Sequence, residues 1–244
     1  MSERGRRVAT TMAVVAALTL SEVAALAQSC PAALADAKRL VLVTAKNMNA
    51  PIATMRLYER DSAGEPWRAR GNAEPAVIGK KGMAWSKFFA RLARPTEPIK
   101  IDGDYRAPAG FYRIGRSFGT LASSQPDYLH ITRDTVCVDD PSSPAYNTIA
   151  SRARIGPTVR AENMSKVRLY RRGLLVDYPT DAKRKAGSCI FIHVWRAPAT
   201  GTEGCVAVPE PRVEALQNFA ADGAVLAILP RTALDRLVGC VPEQ

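Results

Sequence analysis

Apolar residues in this chain come in short bursts that either alternate with polar positions or run on for a few residues, and Gly, Pro or charges then cut them off. Leu40-Val41-Leu42-Val43 is one such run; after a turn around Asn47 to Pro51, Ala53, Met55 and Leu57 alternate with Thr54, Arg56 and Tyr58. A period of two puts the apolar set on one face, so the two segments predict a β-hairpin. Trp67 to Ile78 predicts two more short strands, broken at Gly71 and Pro75 and stopped at Gly79. Lys87 to Ala93 predicts a short helix, and Pro108-Ala109-Gly110 a turn that delivers the chain into a strand at Phe111 to Ile114. The strand-turn rhythm returns at Tyr128 to Thr132, at Thr135 to Val138 and at Cys189 to Trp195, and Lys166 to Asp177 predicts a pair of strands around Arg171-Arg172-Gly173. Helical spacing comes late: Val213, Leu216 and Ala220 share one face after Pro211, Gly223 ends that helix, and Ala224 to Leu229 reads as a buried strand. Thr232 to Val238 predicts a last helical turn, with Thr232 and Asp235 at capping-box spacing.

The pattern predicts a mainly β domain (β-rich α+β) with two or three short helices, compact from about residue 36 to 240 and undivided by any Pro/Ser-rich linker. Sixteen Gly and 17 Pro spread along 244 residues argue against an all-α fold. At 47% apolar and 23% charged, the chain has enough apolar surface for a core and is not a disordered protein.

The N-terminus breaks the rhythm. Arg4, Arg6 and Arg7 precede the apolar stretch Val8 to Leu20, and Ala25-Leu26-Ala27 has the form of a cleavage site. These features predict a signal peptide over 1–27, cut before Gln28, and one domain over 28–244 with no membrane span. The formal charge is +11, and losing three Arg and two Glu with the leader keeps the mature chain basic. A basic surface attracts polyanions. Export and the lack of a nucleic-acid motif set nucleic acid aside and leave anionic lipid and acidic wall polymers. Export also means an oxidising compartment, where Cys30, Cys137, Cys189, Cys205 and Cys240 are expected to pair and an odd count leaves one thiol.

The chain has two histidines, His130 and His193. His193 closes the apolar run Cys189-Ile190-Phe191-Ile192, and a loop rich in Ala, Pro, Thr and Gly leads on to Thr202-Glu203-Gly204-Cys205. The arrangement sets a histidine at a strand end and a cysteine at the end of a flexible loop. Imidazole within reach of a thiol takes its proton and stabilises the thiolate, and Gly204 lets backbone amides approach an oxyanion. The same residues also fit a disulfide cysteine and a core histidine.

Gly187-Ser-Cys-Ile-Phe-Ile-His193 followed by Thr202-Glu-Gly-Cys205 resembles the His…Ser/Thr-x-Gly-Cys signature of L,D-transpeptidase (YkuD-type) catalytic domains. Gly103-Asp104 through Pro108-Ala-Gly110-Phe-Tyr-Arg-Ile114 resembles an upstream segment of the same domain. Val77 to Gly82, Val136 to Asp140, Ala161 to Met164 and Val176-Asp177-Tyr178 resemble pieces of a bacterial peptidoglycan-remodelling subgroup. The resemblance spans about residues 38 to 230. It implies a β-sandwich or barrel and an exported, periplasmic or cell-envelope enzyme that cleaves one peptidoglycan stem peptide as donor and joins it to another as acceptor, with no cofactor and no metal. Cys205 matches the nucleophile and His193 the base; Thr202 matches the residue whose backbone carbonyl orients the imidazole, and Gly204 with Cys205 the oxyanion amides. Two positions depart from the family: Val194 stands where Gly often follows the histidine, and Ala207 where members carry Arg. Arg196, with Trp195 beside it, is the nearest substitute for substrate binding. The resemblance further implies that carbapenems acylate the cysteine. With Cys205 free, the remaining cysteines pair in one of three ways; Cys137 and Cys189 end core strands and Cys30 and Cys240 lie at the two termini, which favours Cys137 with Cys189 and Cys30 with Cys240.

Water in place of the amine makes the same thioester enzyme an L,D-carboxypeptidase or endopeptidase. A disulfide from Cys205 to Cys189 or Cys137 would instead leave a catalytically silent wall-binding module. His130 reads as a half-buried structural histidine, Asp139-Asp140 as a turn-capping pair and Glu162 as structural. Arg168, Arg171 and Arg172 read either as a charged hairpin tip or as contacts to anionic groups of the stem peptide.

Overall fold

The computed structural model describes residues 30–243, so the signal segment expected over 1–27 lies outside the described residues. The strands are β1 (Arg39–Ala45), β2 (Ile52–Glu59), β3 (Arg68–Val77), β4 (Met83–Trp85), β5 (Ala107–Gly119), β6 (Leu129–His130), β7 (Thr135–Val138), β8 (Ile149–Ser151), β9 (Ala161–Asn163), β10 (Gly173–Val176), β11 (Phe191–Val194), β12 (Val206–Val208) and β13 (Val225–Pro230). The α-helices are α1 (Arg152–Ile155) and α2 (Glu210–Ala220), with short 3₁₀ turns elsewhere. The order β10-β11-β12-β3-β2-β1-β13-β5 returns on itself because β10 also pairs with β5, and this closes a barrel. Outside it, β7 pairs with β8 on one side and β9 on the other, a separate small sheet.

The barrel follows the apolar pattern closely. β1 is an interior strand between parallel β13 and antiparallel β2, and Leu40, Val41, Leu42 and Val43 are all buried, so both of its faces are covered; a strand covered on both faces needs a continuous apolar run. On β2 the alternation buries Ala53 and Met55, then slips. A register shift against β3 lies between Met55 and Leu57, so Tyr58 takes the buried place and Leu57 is only partly covered. Gly71 has φ +75° within the bulged stretch of β3, a conformation that few other residues adopt cheaply. Trp67 to Ile78 is therefore one bulged strand and not the two expected.

Three further expectations are corrected. Pro108-Ala109-Gly110 is part of β5 and not a turn, since Met83, Ala84 and Trp85 pair beside Ala107, Pro108 and Ala109. Gly110 is needed there because a Cβ would fall 2.3 Å from the Phe89 ring. Met164–Lys166 and Arg168–Arg171 are 3₁₀ turns, so the expected strand pair is the single strand β10. Asn163 starts these turns, its side chain accepting from Ser165 N–H at 3.1 Å, and they bury Tyr170 against Phe118 and Phe191. The turn Arg231–Leu237 follows Pro230 with no side-chain cap, so Thr232 and Asp235 form no capping box.

Two apolar cores result. The large one fills the barrel and takes in Val213, Leu216 and Ala220 of α2. The small one joins the outer sheet to the barrel wall through Phe118, Ile131, Cys137, Met164, Tyr170, Phe191 and Cys205. At the seam where β10 meets β5, the buried Gln217 amide donates to the carbonyls of Gly173 (2.9 Å) and Phe118 (3.3 Å), which leaves no orphan carbonyl there. Disulfides join Cys30 to Cys240 and Cys137 to Cys189.

Candidate active site

His193 and Cys205 come together because β11 and β12 are adjacent and parallel. Ile192 pairs with Val206 and His193 with Ala207, which sets Cys205 at the entry of β12 beside Phe191. The loop between them is anchored at its far end. Thr202 N–H donates to Ile78 O at 2.8 Å and Lys80 N–H to Thr202 O at 2.7 Å, tying the turn before Cys205 to the end of β3. Gly201 permits this approach, since a Cβ there would lie 2.5 Å from the Lys80 backbone. The cysteine thus ends an anchored turn, not a flexible loop.

Cys205 is the free thiol among the described residues and is buried, 8% exposed. Its Sγ accepts from Phe191 N–H at 3.4 Å and lies 3.6 Å from Cys189 O. Burial pushes the thiol up to about 12; the Glu162 and Glu203 charges act in the same direction, and the Phe191 N–H and Lys100 oppose them. His193 is 6% exposed, and burial lowers its imidazole to about 4. The resting pair is therefore uncharged near neutrality. No direct hydrogen bond joins the two side chains among the described residues.

The imidazole is held through Nδ1, which lies 2.8 Å from Val194 O. A carbonyl only accepts, so Nδ1 carries the proton and Nε2 keeps its lone pair. This corrects the role expected of Thr202, whose carbonyl is taken by Lys80 N–H; the carbonyl that orients the ring belongs to the residue after the histidine. Thr202 acts through its hydroxyl, donating to Cys205 O at 2.6 Å and accepting from Gly204 N–H at 3.1 Å. The Gly204 amide, expected to face an oxyanion, is thus bonded within its own turn. Gly204 itself has φ +150°, and a Cβ would meet Arg106 O at 3.3 Å.

Of the substrate-binding candidates, Trp195 is half-buried, with its backbone N–H on Val208 O at 2.9 Å, and Arg196 is exposed with no ion-pair partner among the described residues. No hydrogen bond, ion pair or ring stacking joins either of them to His193 or Cys205 among the described residues. Arg171 and Arg172 pair with Glu210 and Glu214 of α2 at 2.7 and 3.3 Å, which assigns them to packing that helix. His130 is exposed on the edge strand β6. Asp140 caps a turn, its Oδ1 accepting from Ser142 N–H at 3.0 Å, and Asp139 pairs with Arg160 at 3.3 Å.

Five residues that the sequence reading did not assign to the site stand around it. The Tyr170 ring stands edge-on to His193, centroids 5.4 Å apart, and its hydroxyl donates to Glu162 Oε2 at 2.9 Å. Asn147 accepts from Cys189 N–H at 2.8 Å and donates to Tyr178 O at 3.0 Å, fixing the entry to β11. Lys100 and Asp104 form a buried ion pair at 2.5 Å, and Lys100 supplies the positive charge felt by the thiol. Of these, Glu162, within Ala161 to Met164, and Asp104, within the Gly103-Asp104 segment, lie in stretches that resemble family motifs.

No helix among the described residues is long and apolar enough to cross a membrane. Residues 52–228 match the family model of the L,D-transpeptidase catalytic domain (YkuD), and no curated protein matches the chain.

Proposed function

Since the chain belongs to the L,D-transpeptidase catalytic-domain family, we propose that it is an exported peptidoglycan L,D-transpeptidase of the periplasm or cell envelope, with Cys205 as nucleophile and His193 as base. The observation that carries this reading is the pairing of one unbridged thiol with an imidazole on the adjacent strand, while two disulfides use the other four cysteines. Those disulfides and the leader-like N-terminus support export.

In the first half-reaction the Cys205 proton passes to His193 Nε2, and sulfur forms a C–S bond to the donor stem peptide. The bond to its terminal D-amino acid breaks, and His193 returns the proton to the departing amine. In the second half a neutral amine attacks the thioester, the C–S bond breaks, and its proton passes through His193 to sulfur. A thiol held near 12 beside an imidazole held near 4 does not store a thiolate. The proton therefore moves as attack occurs, which is general-base catalysis and not a preformed ion pair. In this reading the Cys205 amide is the donor to the developing oxyanion.

The test supplies donor and acceptor stem peptides to the mature chain and follows the crosslinked product by mass spectrometry. Cys205→Ala is expected to abolish product while retaining the fold. Product at a comparable rate from Cys205→Ala would remove the nucleophile assignment.

A further inference from the structure

Glu162 sits against the reaction centre from two directions. On β9 it pairs directly with Cys137 of β7, and residues directly opposite in a sheet share a face. Cys137 is bridged to Cys189, whose carbonyl lies 3.6 Å from Cys205 Sγ. From the other side Tyr170 fixes the carboxylate at 2.9 Å, with its ring edge-on to His193. Glu162 is half-buried and so keeps part of its surface open to solvent, and no Lys, Arg or His lies within ion-pair distance of it among the described residues.

An unpaired carboxylate in such a place is costly to keep charged and is of no help to a thiol. Burial raises Glu162, partly offset by the Tyr170 hydroxyl, with Asp139 and Glu203 adding to the rise. Its charge also disfavours the Cys205 thiolate. A cation arriving with the substrate would reverse both effects: it would compensate the carboxylate and lift its opposition to thiol ionisation. Glu203 is a weaker candidate for this place, because it already pairs with Lys80 at 3.3 Å on the surface.

We propose that Glu162, held by Tyr170, is the specificity-determining residue that binds a primary ammonium group of the substrate beside Cys205. The inference rests on the transpeptidase reading for its reaction. The ammonium has two possible sources, the acceptor amine before it loses its proton and a free amine on the donor stem. Either way, an active site without this contact has less means of favouring an amine over water.

The ligand test uses Nα-acetyl-L-lysine amide as the ammonium probe and Nα-acetyl-norleucine amide as its uncharged counterpart, titrated into the mature chain and followed by NMR. The wild-type chain is expected to prefer the lysine amide by about tenfold or more, the scale of a partly desolvated charge pair. Glu162→Gln, which still accepts from Tyr170, is expected to bind both alike, and Glu162→Asp to keep part of the preference. No preference in the wild-type chain, or the same preference in Glu162→Gln, overturns the proposal whether or not Cys205 turns over. With stem peptides, a KM rise of about tenfold confined to the acceptor identifies the acceptor amine, and a rise confined to the donor identifies the donor. Acylation of Cys205 by donor alone, read by intact mass, tests the enzymatic reading separately.

Discussion

The barrel and the small outer sheet are held together by different means. In the barrel, β13 and all of β1 after Arg39 are buried and the two pair over six positions, so stability comes from apolar surface removed from water. The outer sheet has half-buried strands β8 and β9 and depends on specific ties. The Arg152 guanidinium donates to the carbonyls of Gly156, Val159 and Ala161 at 3.0, 2.6 and 3.2 Å, Asp134 Oδ1 accepts from Ala153 N–H at 3.0 Å, and one disulfide runs to the barrel. The proposed nucleophile and base, Cys205 and His193, lie at the seam between the two. A thick apolar core supplies a rigid edge for His193, and a thin, cross-linked layer brings Tyr170 and Glu162 against it. Stability and activity should therefore respond separately to damage on the two sides.

The largest separation is expected at His193. Replacing it with Gln should lower turnover about 10²–10⁴-fold, the usual contribution of a positioned base. The exposed His130 changed in the same way should leave turnover within about twofold. Steady-state rates on protein with unchanged circular dichroism make the comparison, and equal losses for the two would contradict it.

The disulfides come next. Cys30 and Cys240 are 210 residues apart, and the loop-entropy account assigns their bridge roughly 5 kcal/mol; Cys137 and Cys189 are 52 apart, for roughly 4 kcal/mol. Double Ser variants should show losses up to these sizes in urea unfolding. Per folded molecule, only the Cys137/Cys189 variant should lose turnover, because its bridge is the one beside Cys205. Equal turnover in the two variants would show that the outer sheet is not needed to shape the site.

A smaller effect concerns acid. His193 is neutral in the folded chain down to about 4, whereas the unfolded chain takes up that proton near 6.5. Between these values the unfolded state binds more protons, so stability falls as pH drops through the window, by about 3 kcal/mol when complete. His193→Gln should flatten that part of the curve relative to the wild-type chain. Parallel curves from pH 7 to 4 would mean that the imidazole is not buried as described.

The same contrast explains what could be read from the sequence. The barrel strands were legible at Leu40 to Val43 and Ala53 to Met55 because burial on one or two faces writes itself directly into the apolar pattern. Gly71 and Pro108 misled because punctuation usually marks turns, while here a bulge and an edge pairing absorb them. Val167 and Leu169 imitate a strand, yet the Asn163 cap and the burial of Tyr170 wind that stretch into 3₁₀ turns. At the site, residue type and order made His193 and Cys205 the candidates. The orienting carbonyl of Val194, the inward Gly204 amide and the approach of Glu162 depend on β11–β12 register and β7–β9 pairing, which no local spacing encodes.

The central claim, that Cys205 is a nucleophile served by His193, is tested most directly by incubating the mature chain with a carbapenem and recording intact mass, then locating any adduct by digestion. The account predicts one adduct per chain, on Cys205, absent from Cys205→Ala and formed more slowly in His193→Ala. An unmodified Cys205, shown to be reduced in folded protein, or an adduct on another residue would contradict it.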